Sequence, residues 1–157
     1  MTIKMLSIGR TSDPLIKDLL KKYIDRLEHY VKFEEEYIPD LKNARNLGPE
    51  QQKKLEGELL SARIRTSEFL VVLDEKGKQY TSEGFAQFIQ KRLNSGVKQV
   101  TFLIGGPYGV SQEVLDRADL SLSLSKMTFS HQMVRPFFIE QLYRAFTILR
   151  NEPYHHS

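Results

Sequence analysis

Short apolar runs alternate along the chain with longer segments in which apolar residues have a helical spacing. Two runs, at residues 69–73 and 100–104, are almost continuously apolar, one at residues 3–9 is typical of a short buried strand, and two alternate between apolar and polar residues. Continuous runs are typical of parallel strands that helices cover on both faces. We therefore predict about five strands, within "IKMLSIG" (residues 3–9), "VKFEEEYIP" (31–39), "EFLVVLDEKGK" (68–78), "KQVTFLIGG" (98–106) and "ADLSLSLSKMTF" (118–129).

Five segments with helical spacing follow these runs. Ser12 can cap the first, and Pro14 fits its first turn, where a missing N–H costs little. Gly96 lies just past the third, which is an ordinary stop signal. The predicted helices cover residues 12–27, 49–65, 82–94, 111–117 and 132–150, and the polar stretch 40–48 is predicted to be a mobile loop.

The alternation of strands and helices predicts an α/β fold with a mostly parallel sheet. The chain has 157 residues, a length that suits one domain with a substantial core. It contains no internal repeat, low-complexity segment or linker. We therefore predict one domain over residues 1–157.

Composition narrows the possible functions. The chain has 23 Lys and Arg against 20 Asp and Glu, well mixed, and a formal net charge of +3, a weak indication of a polyanionic partner. Cysteine is absent, which excludes a disulfide, a thiolate nucleophile and a cysteine metal site. The histidine spacing suggests no metal either. Because no secretory leader or membrane span is visible, we expect a cytoplasmic protein without a membrane partner.

The segment "LIGGPYG" (103–109) places three glycines at the end of a predicted strand. Open α/β sheets bind ligands at the carboxyl ends of their strands, and a backbone without side chains lets a ligand approach closely. The spacing differs from G-x-G-x-x-G, so a dinucleotide site is not predicted. Two interpretations stay open, a ligand-binding loop and a plain strand-to-helix turn.

Two further loops belong to the same edge of the predicted sheet. In "LDEKGK" (73–78) a strand ends in a glycine turn, and "LSLSKMTFSHQMVR" (122–135) connects a strand to the last helix. Loops in these positions commonly carry function. For the first loop the alternative is a solvated charged turn. For the second, Met127 and Phe129 could be core side chains and Ser130 a helix cap.

The last helix is apolar over well more than half of its circumference, whereas packing on one sheet needs a stripe of about 100°. This excess predicts a second burial surface, most simply a partner subunit; the alternative is a fully buried central helix. Glu140 and Arg144 lie four residues apart on the polar strip. They could form a surface ion pair, or Arg144 could contact RNA or a ligand. The tail "NEPYHHS" (151–157) is either a polar RNA-binding end or a frayed terminus.

Three segments carry a family resemblance: "VVLDEKGK" (71–78), "LIGGPYG" (103–109) and "LSLSKMTFSHQMVRPFFIEQLYRAFTILRNEPYHH" (122–156). They resemble the RlmH family of ribosomal RNA large-subunit methyltransferases. The likeness covers essentially the whole chain and is strongest from Leu103 to His156, while the N-terminal half matches in layout and in its opening "IGR". Ser130 and Pro136 are local variations.

The resemblance implies the SPOUT (alpha/beta-knot) fold, whose C-terminal segment threads a loop to form a trefoil knot. It also implies transfer of a methyl group from S-adenosylmethionine to N3 of a pseudouridine in 23S rRNA, with the assembled ribosome (70S or 50S) as substrate. The implied enzyme is a homodimer in which the partner's tail lies near the active site.

Site residues follow by carry-over from the same family. The resemblance implies that Leu73, Gly105 and the run 124–129 contact S-adenosylmethionine, mostly through backbone, and that Gly106 and Gly109 shape the pocket. The run consists of Leu124, Ser125, Lys126, Met127, Thr128 and Phe129. Our hypothesis is that His155, with Arg144 and Tyr154, orients or activates the target base. No metal is needed.

Three other functions compete with this interpretation. One is a SPOUT methyltransferase that acts on tRNA or on another rRNA base. The second is a ribosome-binding factor that kept the fold without catalysis, which the intact cofactor loops disfavour. The third, a Rossmann-type oxidoreductase, is disfavoured by the glycine spacing and by the lack of an acidic residue at the expected strand end.

Overall fold

The computed structural model describes residues 1–156 and contains one sheet with the strand order β2-β1-β4-β3-β5. Each pair of neighbouring strands is parallel. The predicted α/β class is confirmed, and the knot stays a prediction. The strands are β1 (Thr2–Ile8), β2 (Lys32–Ile38), β3 (Phe69–Gln79), β4 (Gln99–Ile104) and β5 (Leu120–Ser123). The helices are α1 (Pro14–Leu27), α2 (Pro49–Arg63), α3 (Ser82–Asn94), α4 (Gln112–Arg117) and α5 (Val134–Leu149), and a short 3-10 turn covers Ala44–Asn46.

Two hydrophobic cores lie on opposite faces of the sheet. Successive strand residues point to opposite faces, so Phe102 joins the larger core and Leu103 the smaller one. Helices α1, α3 and α5 cover the larger core, and α2 and α4 cover the smaller one. This arrangement explains why the central strands are almost continuously apolar.

The last helix is sandwiched between α1 and α3, against the sheet. Most of its wide apolar surface is therefore buried inside the chain. This agrees with the alternative prediction of a buried central helix. In the first turn of α5, however, Phe137 remains 47% exposed. Met133, which directly precedes the helix, is 41% exposed. Only this smaller apolar patch is left for a second burial surface.

Two local predictions are wrong. Ser12 does not cap α1, because Asp13 occupies the cap position and accepts a hydrogen bond from the Leu15 N–H at 2.8 Å. The predicted glycine turn after residue 73 is a bulge within β3, which continues to Gln79 while residues 74–77 leave the register with β5. A Cβ at Gly77 would lie 2.6 Å from the Ser121 carbonyl, so only glycine allows the two strands to approach there.

A charged cluster at the edge of the sheet predicts acid sensitivity. Burial opposes ionisation of Glu36, but ion pairs with Lys4 and Arg63, both at 3.0 Å, outweigh it and lower the pKa of the carboxyl. A lowered pKa in the folded state stabilises the fold above the ordinary value of 4.5, and this stabilisation is lost as pH falls through the folded pKa.

We expect the Glu36→Gln variant to unfold at a lower temperature than the unmodified protein near pH ~7, and this difference to narrow as the pH falls below 4.5 towards pH ~3. Thermal unfolding followed by circular dichroism across this range measures it. Glu34→Gln is the matched control, because Glu34 is exposed on the same strand. An equal gap at both pH values would contradict the prediction.

Candidate cofactor and active site

A cavity of about 1200 Å³ opens at the carboxyl ends of β4 and β5 and at the bulge of β3. Three loops form most of its wall: residues 73–76, residues 104–113, and residues 122–131 except Ser123 and Lys126. Glu50, Lys53 and Lys54 in the first turns of α2 complete the wall. Parallel strands place their following loops at one edge, which is why segments distant in sequence meet here. The predicted convergence is therefore present in the structure, with the bulge of β3 in the place of the first predicted loop.

Nine of the ten residues predicted to hold the cofactor line this cavity, and Lys126 does not. Their contact with a cofactor stays a prediction. The nine are Leu73, Gly105, Gly106, Gly109, Leu124, Ser125, Met127, Thr128 and Phe129.

The glycine loop is a tight turn that packs against the protein itself. The Gly109 N–H donates to the Gly106 carbonyl at 3.0 Å, and Gly109 has a φ of +85°, which favours glycine. A Cβ at Gly105 would lie 2.7 Å from Val110 Cγ2, and a Cβ at Gly106 would lie 2.7 Å from the Glu56 carboxylate. At both positions protein atoms, rather than an open ligand site, fill the space of the missing side chain.

The loop after β5 is held by its own hydroxyl groups. Ser125 Oγ accepts from the Met127 N–H at 3.0 Å, and the Thr128 hydroxyl donates to Glu75 in the bulge of β3. Two of the three loops are thus joined directly. Met127 is 77% exposed, so its interpretation as a core side chain is wrong, while Phe129 packs on the Phe137 ring at a centroid distance of 5.3 Å.

A second group of polar side chains, the tail cluster (Glu83, Glu140, Arg144, Tyr154 and His155), joins the C-terminal tail to α3 and α5. Arg144 Nη1 lies 3.2 Å from His155 Nδ1, and His155 Nε2 lies 2.9 Å from Glu83 Oε1. Glu140 binds the Arg144 guanidinium and accepts from the Tyr154 hydroxyl at 2.9 Å. The structure therefore brings the three predicted catalytic residues together.

The tail cluster defines the chemistry of its histidine. A guanidinium can only donate, so His155 Nδ1 accepts from Arg144, and the proton lies on Nε2, which donates to Glu83. Both ring nitrogens are then engaged, and the ring has no free lone pair. Burial and hydrogen bonds with Tyr23 and Glu140 raise the pKa of Tyr154, so the phenol keeps its proton.

Within the described part of the chain, no member of the tail cluster lines the cavity. The cofactor residues and the catalytic residues predicted from the sequence therefore form two separate groups in one chain.

Comparison with known proteins gives the family. The family model described as "Predicted SPOUT methyltransferase" matches residues 1–155. The chain belongs to this family. It is 62% identical over 156 residues to ribosomal RNA large subunit methyltransferase H of Christiangramia forsetii, covering 99% of both chains. It is also 54% identical to the protein of that name from Flavobacterium johnsoniae and 49% identical to the one from Parabacteroides distasonis, over the full length of each.

Membership of the SPOUT methyltransferases confirms the predicted resemblance and the predicted class, an S-adenosylmethionine-dependent methyltransferase. The residues around the cavity fit this cofactor. Leu73 and Leu124, both partly exposed, offer apolar surface for an adenine ring, Lys53 suits a carboxylate, and Glu75 suits a cationic group. Drug-sized sites occupy about 300–1,000 Å³, so the cavity has room for a nucleoside cofactor and part of a substrate.

Two groups of cavity residues in this SPOUT methyltransferase were not predicted from the sequence. Lys53 and Lys54 line the cavity, although α2 was predicted only as a charged helix. The available signal was topological, because a helix that follows a parallel strand begins at the carboxyl edge of the sheet. His131 also lines the cavity, and burial together with the charge of Arg135 lowers its pKa, which favours the neutral ring.

Among residues 1–156, no helix is long and apolar enough to cross a membrane, and no three or more His, Asp or Glu side chains are grouped so that they could hold a metal ion.

Proposed function

We propose that this chain transfers the methyl group of S-adenosylmethionine to N3 of a pseudouridine in 23S rRNA. The proposed enzyme is a cytoplasmic homodimer of single-domain chains (residues 1–157, of which Ser157 lies outside the described residues) that acts on the assembled ribosome, 70S or 50S. The observation that carries the proposal is the cavity formed by the three loops, in a chain similar over its full length to large-subunit rRNA methyltransferases. The same similarity favours rRNA over tRNA.

The bound cofactor supplies an electrophilic methyl group on a sulfonium. The reaction forms a bond from N3 to the methyl carbon, breaks the bond from that carbon to sulfur and releases the N3 proton. We assign the loops at 73–76, 104–109 and 124–129 to holding the cofactor. This role is positional, because a correctly oriented pair of reactants removes much of the entropic barrier.

The tail cluster is the proposed partner of the target base. Loss of the N3 proton leaves negative charge shared between N3 and the two adjacent carbonyl oxygens of the base. The Arg144 guanidinium is permanently charged and suits this anion. His155 cannot accept the proton while it receives a hydrogen bond from Arg144, so we assign it to orienting Arg144. Tyr154, with its raised pKa, is a hydrogen-bond donor and not a base.

The homodimer is proposed because one chain keeps these groups apart. The tail cluster does not line its own cavity, whereas a second copy could bring its tail to that cavity. Exposed apolar side chains in the first turn of α5 and in the loop before it offer a contact surface, with Phe129, Met133 and Phe137 exposed by 36%, 41% and 47%. A paired assembly would cover this patch and complete the site.

Transfer of labelled methyl from S-adenosylmethionine to ribosomes that lack the modification tests the proposed function. Free rRNA and tRNA are assayed alongside, and nuclease digestion locates the label. Label in a 23S pseudouridine on whole ribosomes supports the proposal. Label in tRNA would indicate a different SPOUT substrate. A chain that labels no RNA and does not bind the cofactor would be a ribosome-binding factor.

Substitutions of His155 separate an orienting role from a base. We expect His155→Ala to lower kcat about 10- to 100-fold because Arg144 loses its support. His155→Gln should retain more activity, since its amide can accept from one side and donate from the other. The dependence of kcat on pH should match that of the unmodified protein in both variants. A profile that loses an ionisation in His155→Gln would identify His155 as the base.

A further inference from the structure

Glu56 on α2 is a buried carboxyl group that the proposed mechanism does not use. The residue is 3% exposed. Among the described residues its Oε1 has no hydrogen-bond partner, and its Oε2 receives only a long contact of 3.4 Å from Gln52 Nε2. Burial, and secondarily the charge of Asp40, raises the pKa of this group. A buried polar group without partners costs stability, so its presence needs another explanation.

The Glu56 carboxyl group lies directly against the glycine loop. Both of its oxygens are 2.7 Å from the position that a Cβ would take at Gly106, so the carboxyl group occupies that side chain's space. The next residue, Gly57, makes a similar contact, because its missing Cβ would lie 2.3 Å from Ser111 Oγ at the cap of α4. Helix α2 thus supports the segment between residues 105 and 111 at two adjacent positions.

We propose that Glu56 is a positioning residue for the cofactor: its carboxyl group fits into the space left by Gly106 and holds the glycine loop in its binding conformation. Gly106 is then a glycine because of Glu56 and not because the cofactor needs the space. The inference rests on the proposed function, in which this loop binds S-adenosylmethionine. An apolar residue would fill a purely structural position without the desolvation of a carboxyl group.

A double-mutant cycle tests the contact. We measure the Kd of S-adenosylmethionine by calorimetry for Glu56→Ala, Gly106→Ala and the double variant. Gly106→Ala should weaken binding about tenfold or more, because its Cβ collides with the carboxyl group. The double variant should bind about as well as Glu56→Ala alone, since the group with which the new Cβ collides is gone. Glu58→Ala, an exposed neighbour on the same helix, is the matched control and should bind normally.

Glu56→Gln distinguishes positioning from a general structural role. The amide keeps the shape of the carboxyl group, so the Kd should stay within about twofold of the unmodified protein. Glu56→Ala should raise the KM for the cofactor about three- to tenfold and leave kcat nearly unchanged, as expected for lost ground-state binding. The positioning role would be overturned if Glu56→Ala lowered kcat as well as raising KM, and if both changes followed a fall in the melting temperature.

The outcomes separate this inference from the function on which it rests. If the unmodified chain binds S-adenosylmethionine and the cycle is additive, with no recovery in the double variant, the role of Glu56 is wrong and the proposed function stands. If the unmodified chain binds no S-adenosylmethionine, the proposed function fails, and the role of Glu56 fails with it. Recovery in the double variant together with normal binding by Glu56→Gln supports the inference.

Discussion

Replacement of Arg135 by methionine is expected to lower the free energy of unfolding by about 3 kcal/mol or more. Arg135 is fully buried, and its guanidinium donates to the carbonyls of Ile8 and Gly9, each at 2.9 Å, and to Thr11 Oγ1 at 3.1 Å. Its Nε donates to the His131 carbonyl at 3.0 Å. Methionine fills much of the volume but leaves these acceptors unsatisfied, and each costs about 1–3 kcal/mol when buried.

Urea unfolding measures the loss of stability, and two further variants test its cause. Arg135→Lys keeps the charge but cannot reproduce the planar fork of donors, so it should also destabilise the protein. Arg65→Met is the control, because Arg65 is exposed and the same change there should cost less than about 0.5 kcal/mol. An Arg135→Met variant within about 1 kcal/mol of the unmodified protein would show that the carbonyls find other partners.

The effect should extend to cofactor binding. Arg135 ties the start of α5 to the end of β1, and the Gln132 side chain adds a hydrogen bond to the Arg10 carbonyl at 3.1 Å. The loop that precedes α5 forms part of the cavity wall. When its attachment at residue 135 is lost, that loop is less restricted and must be ordered again when the cofactor binds.

Arg135 also shows where prediction from the sequence stopped. Periodicity and apolar runs predicted the strands and helices, because those patterns reflect burial against a sheet. A lone arginine at the start of an apolar helix is normally exposed, and no local pattern reveals that its acceptors are carbonyls 126 and 127 residues away in the chain. The bulge in β3 is similar, since it depends on how closely β5 passes Gly77.

The candidate site likewise has a part that the sequence predicts and a part that depends on distant contacts. The convergence of the three loops was predictable because parallel strands all have their carboxyl ends at one edge of the sheet. The tail cluster was predicted only in part, as the catalytic residues Arg144, Tyr154 and His155 and as the ion pair of Arg144 with Glu140, which the structure confirms. Its partner Glu83 comes from α3, 72 residues earlier, and nothing in a charged first helical turn signals that contact. The same holds for Glu56, which resembles any other charged residue of an exposed helix until Gly106 is placed against it.

Two inactive variants should restore activity when they share one dimer. Arg144→Ala removes the charge proposed to face the target base, and we expect it to lower kcat by about 100-fold or more while cofactor binding is kept. Gly105→Ala places a Cβ 2.7 Å from Val110 Cγ2 and 2.9 Å from the Gly109 carbonyl oxygen, so it should deform the loop and abolish cofactor binding. Each homodimer would then be inactive for a different reason.

A heterodimer of these variants has one cavity that is intact and one tail that is intact, on different chains. If the site combines the cavity of one chain with the tail of its partner, one of the two sites works, and a purified heterodimer should show about half of the unmodified activity. Separate affinity tags on the two variants allow its isolation after co-expression. If each site is formed within a single chain, both sites of the heterodimer are defective and no activity returns. Methyl transfer to ribosomes by the purified heterodimer thus decides between a shared site and an internal one, because the two arrangements predict half activity and none.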